Sequence, residues 1–239
     1  MENDDKKVVF NYKNIIERAE ASLLNQKLIT SSNHYFNVIN NYLNSKGINC
    51  EINSEMFEYV KSCFVYSVIL LSPSLGKEKM INYILITEDF NLSTYMKRLI
   101  IKVNEGKLLY RSDLDEFLEL CPSIVKKMLD SDKEFLNLYL LEHNVISISE
   151  IYETISFEIL LNFIDLNAST LDEKSKIKKM EELEDSIFKL IVEGKIKAKI
   201  DQNLKLLIYL SEENPKEDKG IKNFCNKLIA FNHKFSNKQ

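Results

Sequence analysis

Histidine and cysteine have the widest catalytic and metal-binding chemistry of the side chains, and their spacing decides whether that chemistry is available here. The three histidines, His34, His143 and His233, are far apart and form neither an HxH nor an HExxH zinc motif. The four cysteines form no CxxC pair, which argues against a zinc site and against a disulfide framework. His143 stands beside Asn144, and we interpret it as a helix-end or core polar group that bonds to the backbone. We therefore expect no metal ion, no cofactor and no catalytic residue.

Phosphate binding is the second chemistry to consider. No Walker A or GxGxxG motif is present, and five scattered glycines cannot build a phosphate-binding loop. The formal net charge of −4 argues against a broad nucleic-acid-binding face. Carboxylates such as Glu184 and Asp185 would also repel phosphates, so we interpret the lysines around them as part of a solvated face with mixed charge. Nucleic-acid binding is kept as an alternative function. The lysines concerned are Lys174, Lys176, Lys178, Lys179, Lys195, Lys197 and Lys199.

The sequence gives no sign of membrane association. Its first ten residues, MENDDKKVVF, are acidic and lack the apolar run of a signal peptide. The longest apolar stretch, residues 63–71, is much shorter than the roughly 20 residues that span a bilayer. We expect a soluble intracellular protein.

The first half of the chain has the pattern of short amphipathic helices. The segment NIIERAEASLLNQKLI is predicted to be a helix, and SEMFEYVKSCFVYSVILL a largely buried helix. The apolar stripe of the first helix consists of Ile15, Ile16, Ala19, Leu23 and Leu24. Few Gly and Pro residues interrupt the pattern. Short connections between such helices predict an antiparallel helical stack that resembles a solenoid.

The period changes near the C-terminal end. We predict two short helices hinged near Ile155–Ser156, then one long helix that ends at Gly194. After this glycine, Ile196, Ala198 and Ile200 alternate with lysines, which predicts a β-strand. The following strand is predicted to place Leu204, Leu206, Ile208 and Leu210 on its apolar side, giving a hairpin with one buried and one exposed face. Three helices followed by a hairpin is the order of a winged helix.

A last helix is predicted after the charged connector SEENPKEDKG. Its apolar residues recur at spacings of three and four, so its apolar stripe requires a covering surface. They are Ile221, Phe224, Leu228, Phe231 and Phe235.

Two segments, LLEHNVISISEIYETISFEILLNFI (residues 140–164) and LEDSIFKLIVEGKIKAKIDQ (residues 183–202), resemble the PCI domain. The EHN element at Glu142–Asn144, Tyr152 and ISFE are most similar to the fourth-subunit family of the COP9 signalosome. The sister subunit of the proteasome lid also carries EHN, and AKID at residues 198–201 is close to its sequence. The chain differs from these families in its shorter N-terminal arm and in the longer link NASTLDEKSKIKK.

The resemblance implies a mainly α fold, with a TPR-like helical-repeat segment, a winged-helix PCI module carrying a small β-hairpin, and a C-terminal helix. The predicted boundaries are 1–130 for the helical repeats, 131–212 for the winged-helix part and 213–239 for the C-terminal helix, which would join a bundle with sibling subunits.

The resemblance further implies a non-catalytic scaffold subunit of the COP9 signalosome, in the cytoplasm and nucleus. Such a subunit supports the removal of NEDD8 from cullin-RING ubiquitin ligases. The expected partners are other PCI subunits, zinc metalloprotease (MPN) subunits and neddylated cullin-RING ligases. A proteasome-lid scaffold subunit is the first alternative. The expected interface residues are Ile196, Ala198, Ile200, Leu206, Ile208, Ile221, Phe224, Leu228, Phe231 and Phe235.

Overall fold

The computed structural model describes residues 11–44, 52–132, 134–165 and 170–210. Within these ranges the chain is mainly helical, as predicted, and seven helices precede the winged-helix region. These are α1 (Tyr12–Leu24), α2 (Leu28–Asn44), α3 (Ser54–Ile69), α4 (Leu75–Ile86), α5 (Thr94–Asn104), α6 (Asp115–Leu120) and α7 (Ser123–Ser131).

Side-chain caps mark where several of these helices begin. Asn53, Ser74 and Ser93 each accept a hydrogen bond from the backbone N–H three residues later. Such caps pair amide groups that a helix leaves free in its first turn. Among these helices, α3 is buried on nearly all sides, and the side chains of Phe64 and Val68 are fully buried. This helix therefore forms the centre of the first part of the fold.

The second part has the element order of a winged helix. Helix α8 (Phe135–Ser149) leads into β1 (Thr154–Ser156), α9 (Phe157–Ile164) and α10 (Glu173–Val192). Strands β2 (Ala198–Asp201) and β3 (Leu206–Tyr209) complete it. The predicted end of the long helix is confirmed at Gly194, whose φ of +69° is the left-handed conformation that glycine adopts readily.

The sheet has three antiparallel strands in the order β1-β3-β2, so the predicted hairpin is confirmed and β1 is added to it. The prediction of two short helices hinged near Ile155–Ser156 is wrong. Ile155 is buried and lies opposite Leu207 in β3, while the Ser156 side chain caps α9 by accepting from the Ile159 N–H. The strand is only three residues long, which is too short to show a period of two.

The buried face of β3 also differs from the prediction. Leu207 is fully buried, whereas Leu206 and Ile208 are only half-buried and Leu204 and Leu210 are exposed. Because neighbouring residues of a strand point to opposite faces, the predicted apolar row lies on the outer face of the sheet. The strand carries apolar side chains on both faces, so its sequence alone does not select the buried one.

Two hydrophobic cores meet within α8. The first contains Leu136 and Tyr139 together with residues of α1–α7, and the second contains Leu141, Val145 and Ile148 together with α9, α10 and the sheet. The predicted division after residue 130 stays a prediction, and the segment predicted over 213–239 lies outside the described residues. None of the helices described is both long and apolar enough to cross a membrane.

Candidate protein-interaction surface

The Glu142–Asn144 element holds the two parts of the fold together. The Asn144 side chain accepts a hydrogen bond from the Leu109 N–H (2.8 Å) and donates one to the Leu109 carbonyl (2.7 Å). Both residues are 1% exposed, so water cannot replace these bonds. The amide thus pairs both backbone groups of a residue that precedes α6, and it fixes that loop to α8.

His143 takes part in the same junction. Its Nε2 lies 2.8 Å from the Lys107 carbonyl oxygen, which can only accept, so Nε2 carries the proton. Burial lowers the pKa of His143 and favours the neutral ring. The interpretation of His143 as a core polar group bonded to the backbone is confirmed. Across the described ranges, no three His, Cys, Asp or Glu side chains are grouped closely enough to hold a metal ion.

Lys77 carries a buried amine beside this junction. Its Nζ donates to the carbonyls of Ile69 (2.9 Å) and Leu71 (2.6 Å), and the Tyr139 hydroxyl also donates to the Ile69 carbonyl (2.7 Å). Burial lowers the pKa of Lys77 to about 7, although the charge of Glu142 opposes the change. A neutral amine has two N–H groups, which matches the two carbonyls that it meets. Lys77 therefore acts as a cap for the end of α3.

A cavity of about 350 Å³ opens next to Lys77, His143 and Glu150. Lys77 Nζ and His143 Nε2 are already bonded to backbone carbonyls. These bonds make Lys77 and His143 part of the structure of the junction.

Within the residues that the structure describes, the sheet has an open edge at β2. β3 is its central strand, and β2 pairs with β3 along one side only. The Leu210 N–H donates to the Lys197 carbonyl (2.8 Å), which fixes the hydrogen-bonded pairs of this ladder. Because such pairs alternate in an antiparallel sheet, Ala198 and Ile200 direct their backbone N–H and C=O groups away from β3. These groups can pair with a further strand.

The structure places the predicted interface residues in two environments. Ile196 and Ala198 are each 6% exposed and belong to the second hydrophobic core, so their side chains face their own domain. Ile200, Leu206 and Ile208 are half-buried. Contact of any of these residues with a partner stays a prediction. The remaining predicted residues, Ile221, Phe224, Leu228, Phe231 and Phe235, lie outside the described part of the chain.

Most of the lysines considered for phosphate binding lie next to carboxylates. Ion pairs of this kind reduce the positive potential that a phosphate backbone would meet. The interpretation as a face of mixed charge agrees with this arrangement. The pairs are Lys176–Glu158, Lys178–Glu182, Lys179–Asp165, Lys195–Glu142 and Lys195–Glu193, and Lys205–Glu184 adds another near the turn of the hairpin.

Two features were not anticipated from the sequence. The apolar outer face of β3 had a signal, because Leu206, Leu207, Ile208 and Tyr209 form an uninterrupted apolar run typical of a strand that is covered on both faces. The burial of Lys77 also had a signal, because Lys77 lies four and seven residues before the buried Ile81 and Ile84 on one helical face.

A family model, the PCI domain, matches residues 123–210. The match begins at the first residue of α7 and ends one residue after β3, so it covers α8, the sheet and the open β2 edge. No curated protein matches the sequence significantly. PCI domains are generally non-catalytic scaffold domains that assemble with other PCI and MPN subunits. The match therefore indicates a scaffold subunit of a PCI-containing complex.

Proposed function

We propose that this chain, with its PCI domain at residues 123–210, is a non-catalytic scaffold subunit of the COP9 signalosome. In this role it supports the removal of NEDD8 from cullin-RING ligases, which zinc metalloprotease subunits of the complex carry out. The open β2 edge is the observation that carries the proposal, because among the described residues β2 pairs on one side only and lies inside the matched domain. The similarity of Tyr152 and ISFE to the signalosome family is the reason for proposing this complex, whereas the EHN element at Glu142–Asn144 is shared with the proteasome-lid family.

Assembly is proposed to proceed by strand addition. A strand from a neighbouring PCI subunit pairs with the outward-facing backbone groups of Ala198 and Ile200. These main-chain bonds supply attraction, and side chains such as the exposed Lys199 select the partner and discourage indiscriminate pairing. Residues 221–235 are proposed to join the C-terminal helices of sibling subunits within the complex.

The helical part is proposed to position the neddylated cullin-RING ligase relative to the metalloprotease subunits. The junction at Asn144 supports this role, because it bonds α8 to the loop before α6 with two buried hydrogen bonds. A movement of the helical part is then transmitted to the winged-helix part, because these bonds join the two parts directly. The proposed location is the cytoplasm and nucleus.

A proline at residue 200 tests the strand-addition mechanism. Ile200→Pro removes an N–H that points away from β3, so it blocks a partner strand while the ladder within the chain is retained. We expect at least about a tenfold loss of sibling PCI subunits recovered with the tagged full-length chain. Recovery is measured by quantitative mass spectrometry after affinity purification.

Ile200→Val is the matched control, because it keeps both the N–H and the β-branched shape. Its recovery of partners should equal that of the unchanged chain. Circular dichroism establishes that both variants are folded. Undiminished recovery with a folded Ile200→Pro variant would show that the β2 edge is not the docking edge.

The identity of the complex is tested by the same purification from native cells. Cullins and a zinc isopeptidase among the recovered proteins support the signalosome. Components of an ATPase ring support the alternative, a scaffold subunit of the proteasome lid, which the AKID sequence of β2 favours.

A further inference from the structure

The outer face of the sheet carries an apolar row bordered by polar residues. Leu206, Ile208 and Leu210 alternate with the buried Leu207 and so lie on the face opposite the second core. We call these three residues the outer row. Leu210 is 51% exposed and the other two are half-buried. Apolar rows along a central strand are normally covered, so a covering segment is expected for the outer row.

Polar residues flank the outer row on both neighbouring strands. Thr154 and Lys199 lie opposite Ile208, and Ser156 and Asp201 lie opposite Leu206. This border limits the apolar surface to a strip one strand wide. Such a strip suits a single helix or strand better than a broad protein surface.

The chain itself supplies a segment that fits this strip. It leaves the sheet at Leu210, and residues 211–239 follow directly. The stripe of apolar residues between Ile221 and Phe235 would extend about 21 Å as a helix. The outer row extends about 14 Å along β3. The stripe is therefore long enough to cover the row from end to end.

The connection between the two also has the required length. Ten residues, 211–220, separate Leu210 from Ile221, and an extended chain of that length spans up to about 33 Å. This is enough for the chain to reverse and run back over the sheet. A tethered segment acts at an effective concentration in the millimolar range, which favours it over a second copy of the protein.

We propose that residues 221–235 pack on the outer row when the chain is free of partners. The interaction keeps Phe224, Leu228 and Phe231 out of water before assembly. Where the same segment joins sibling subunits, it must first leave the sheet, so assembly and self-docking compete. The proposal concerns the isolated chain and is tested without any partner, so its failure would leave the strand-addition experiment unaffected.

The sequence offers a clean reporter because it contains no tryptophan. Ile208→Trp places one indole in the outer row of the full-length chain. In a second protein the same substitution is combined with Phe224→Ser, Leu228→Ser and Phe231→Ser, which remove the apolar stripe. If the stripe covers the row, the indole emits at shorter wavelength and is quenched by acrylamide severalfold less in the first protein than in the second.

Ile86→Trp is the matched control, because Ile86 is 80% exposed at the end of α4, outside the winged-helix part. Its emission and quenching should be the same with and without the serine substitutions. Should Ile208→Trp fail to fold by circular dichroism, Leu210→Trp takes its place at an already exposed position. Equal quenching of the outer-row indole in both proteins overturns the proposal. A protective effect that grows with protein concentration also overturns it, because a second copy would then be the occupant.

Discussion

Replacing Asn144 with leucine is expected to lower the free energy of unfolding by about 3 kcal/mol. The substitution leaves the N–H and the carbonyl of Leu109 without partners in a site where both residues are 1% exposed. Each buried polar group left unpaired costs about 1–3 kcal/mol. Urea denaturation followed by circular dichroism measures the change.

Asn137→Leu is the matched control for this prediction. Asn137 lies two turns earlier on α8, but it is exposed, and its side chain accepts a hydrogen bond from Arg111 at the surface. Its replacement should change the free energy of unfolding by no more than about 0.5 kcal/mol. Similar losses in the two variants would mean that the amide at position 144 has no special role in joining the two parts of the fold.

The protein is also expected to become more stable as the pH rises from 7 to about 8.5, by about 1.5 kcal/mol, through Lys77. Burial lowers the pKa of Lys77 to about 7 in the folded chain, whereas an unfolded lysine titrates near about 10.4. Over this range the unfolded chain holds a proton that the folded chain has released. The free energy of unfolding therefore increases with pH.

Other groups set the limits of this range. Burial lowers the pKa of His143, so this residue affects the pH dependence of the free energy of unfolding mainly below pH 7. Burial raises the pKa of the Cys63 thiol to about 12, and an unfolded cysteine ionises near about 8.5. Above that pH the unfolded chain loses this proton first, so the Cys63 contribution reduces stability as the pH rises further.

The variants Lys77→Met and Lys79→Met distinguish the contributions of the two α4 lysines to this pH dependence. Lys77→Met removes the buried amine, so its free energy of unfolding should change little between pH 7 and 8.5. Lys79 is exposed on the same helix, and Lys79→Met should keep the full increase. Denaturation at several pH values measures both slopes. An unchanged slope in Lys77→Met would assign the pH dependence to another group.

The helices were largely predictable because their apolar residues repeat with a helical period over many residues. Leu183 and Ile187 on one side of α10 are buried, and Gly194 follows the end of this helix as predicted. The β2–β3 hairpin was predictable for the same reason, since Ala198 and Ile200 alternate with charged residues. Periodicity is a local property, and a single sequence displays it directly.

The buried face of β3 and the presence of β1 could not be predicted from the neighbouring residues, because both depend on contacts that are distant in the sequence. β1 has three residues, and it is a strand because Ile155 meets Leu207, more than 50 positions later. The apolar run in β3 fits either face, and the packing of α8 and α10 against Leu207 selects the buried one. Neither decision can be made from the strand's own residues.

The candidate site also combines features that the local sequence predicts with features that it does not predict. The sequence marks Glu142–Asn144 as a distinctive element and predicts that His143 bonds to the backbone. The partner itself, Lys107, is 36 residues away in a loop with no regular pattern. The open edge at β2 required the strand order, which only the complete sheet defines.

The position of α8 in both hydrophobic cores limits which segments such subunits can exchange by recombination during evolution. It supplies Leu136 and Tyr139 to one core and Leu141 and Val145 to the other, so no crossover point within it leaves both cores complete. A recombination event that transfers residues 123–210 alone would bring a helix with half of its apolar surface uncovered. Exchange between paralogous genes is then expected to succeed when the helices packed against the first half of α8 are inherited together with it.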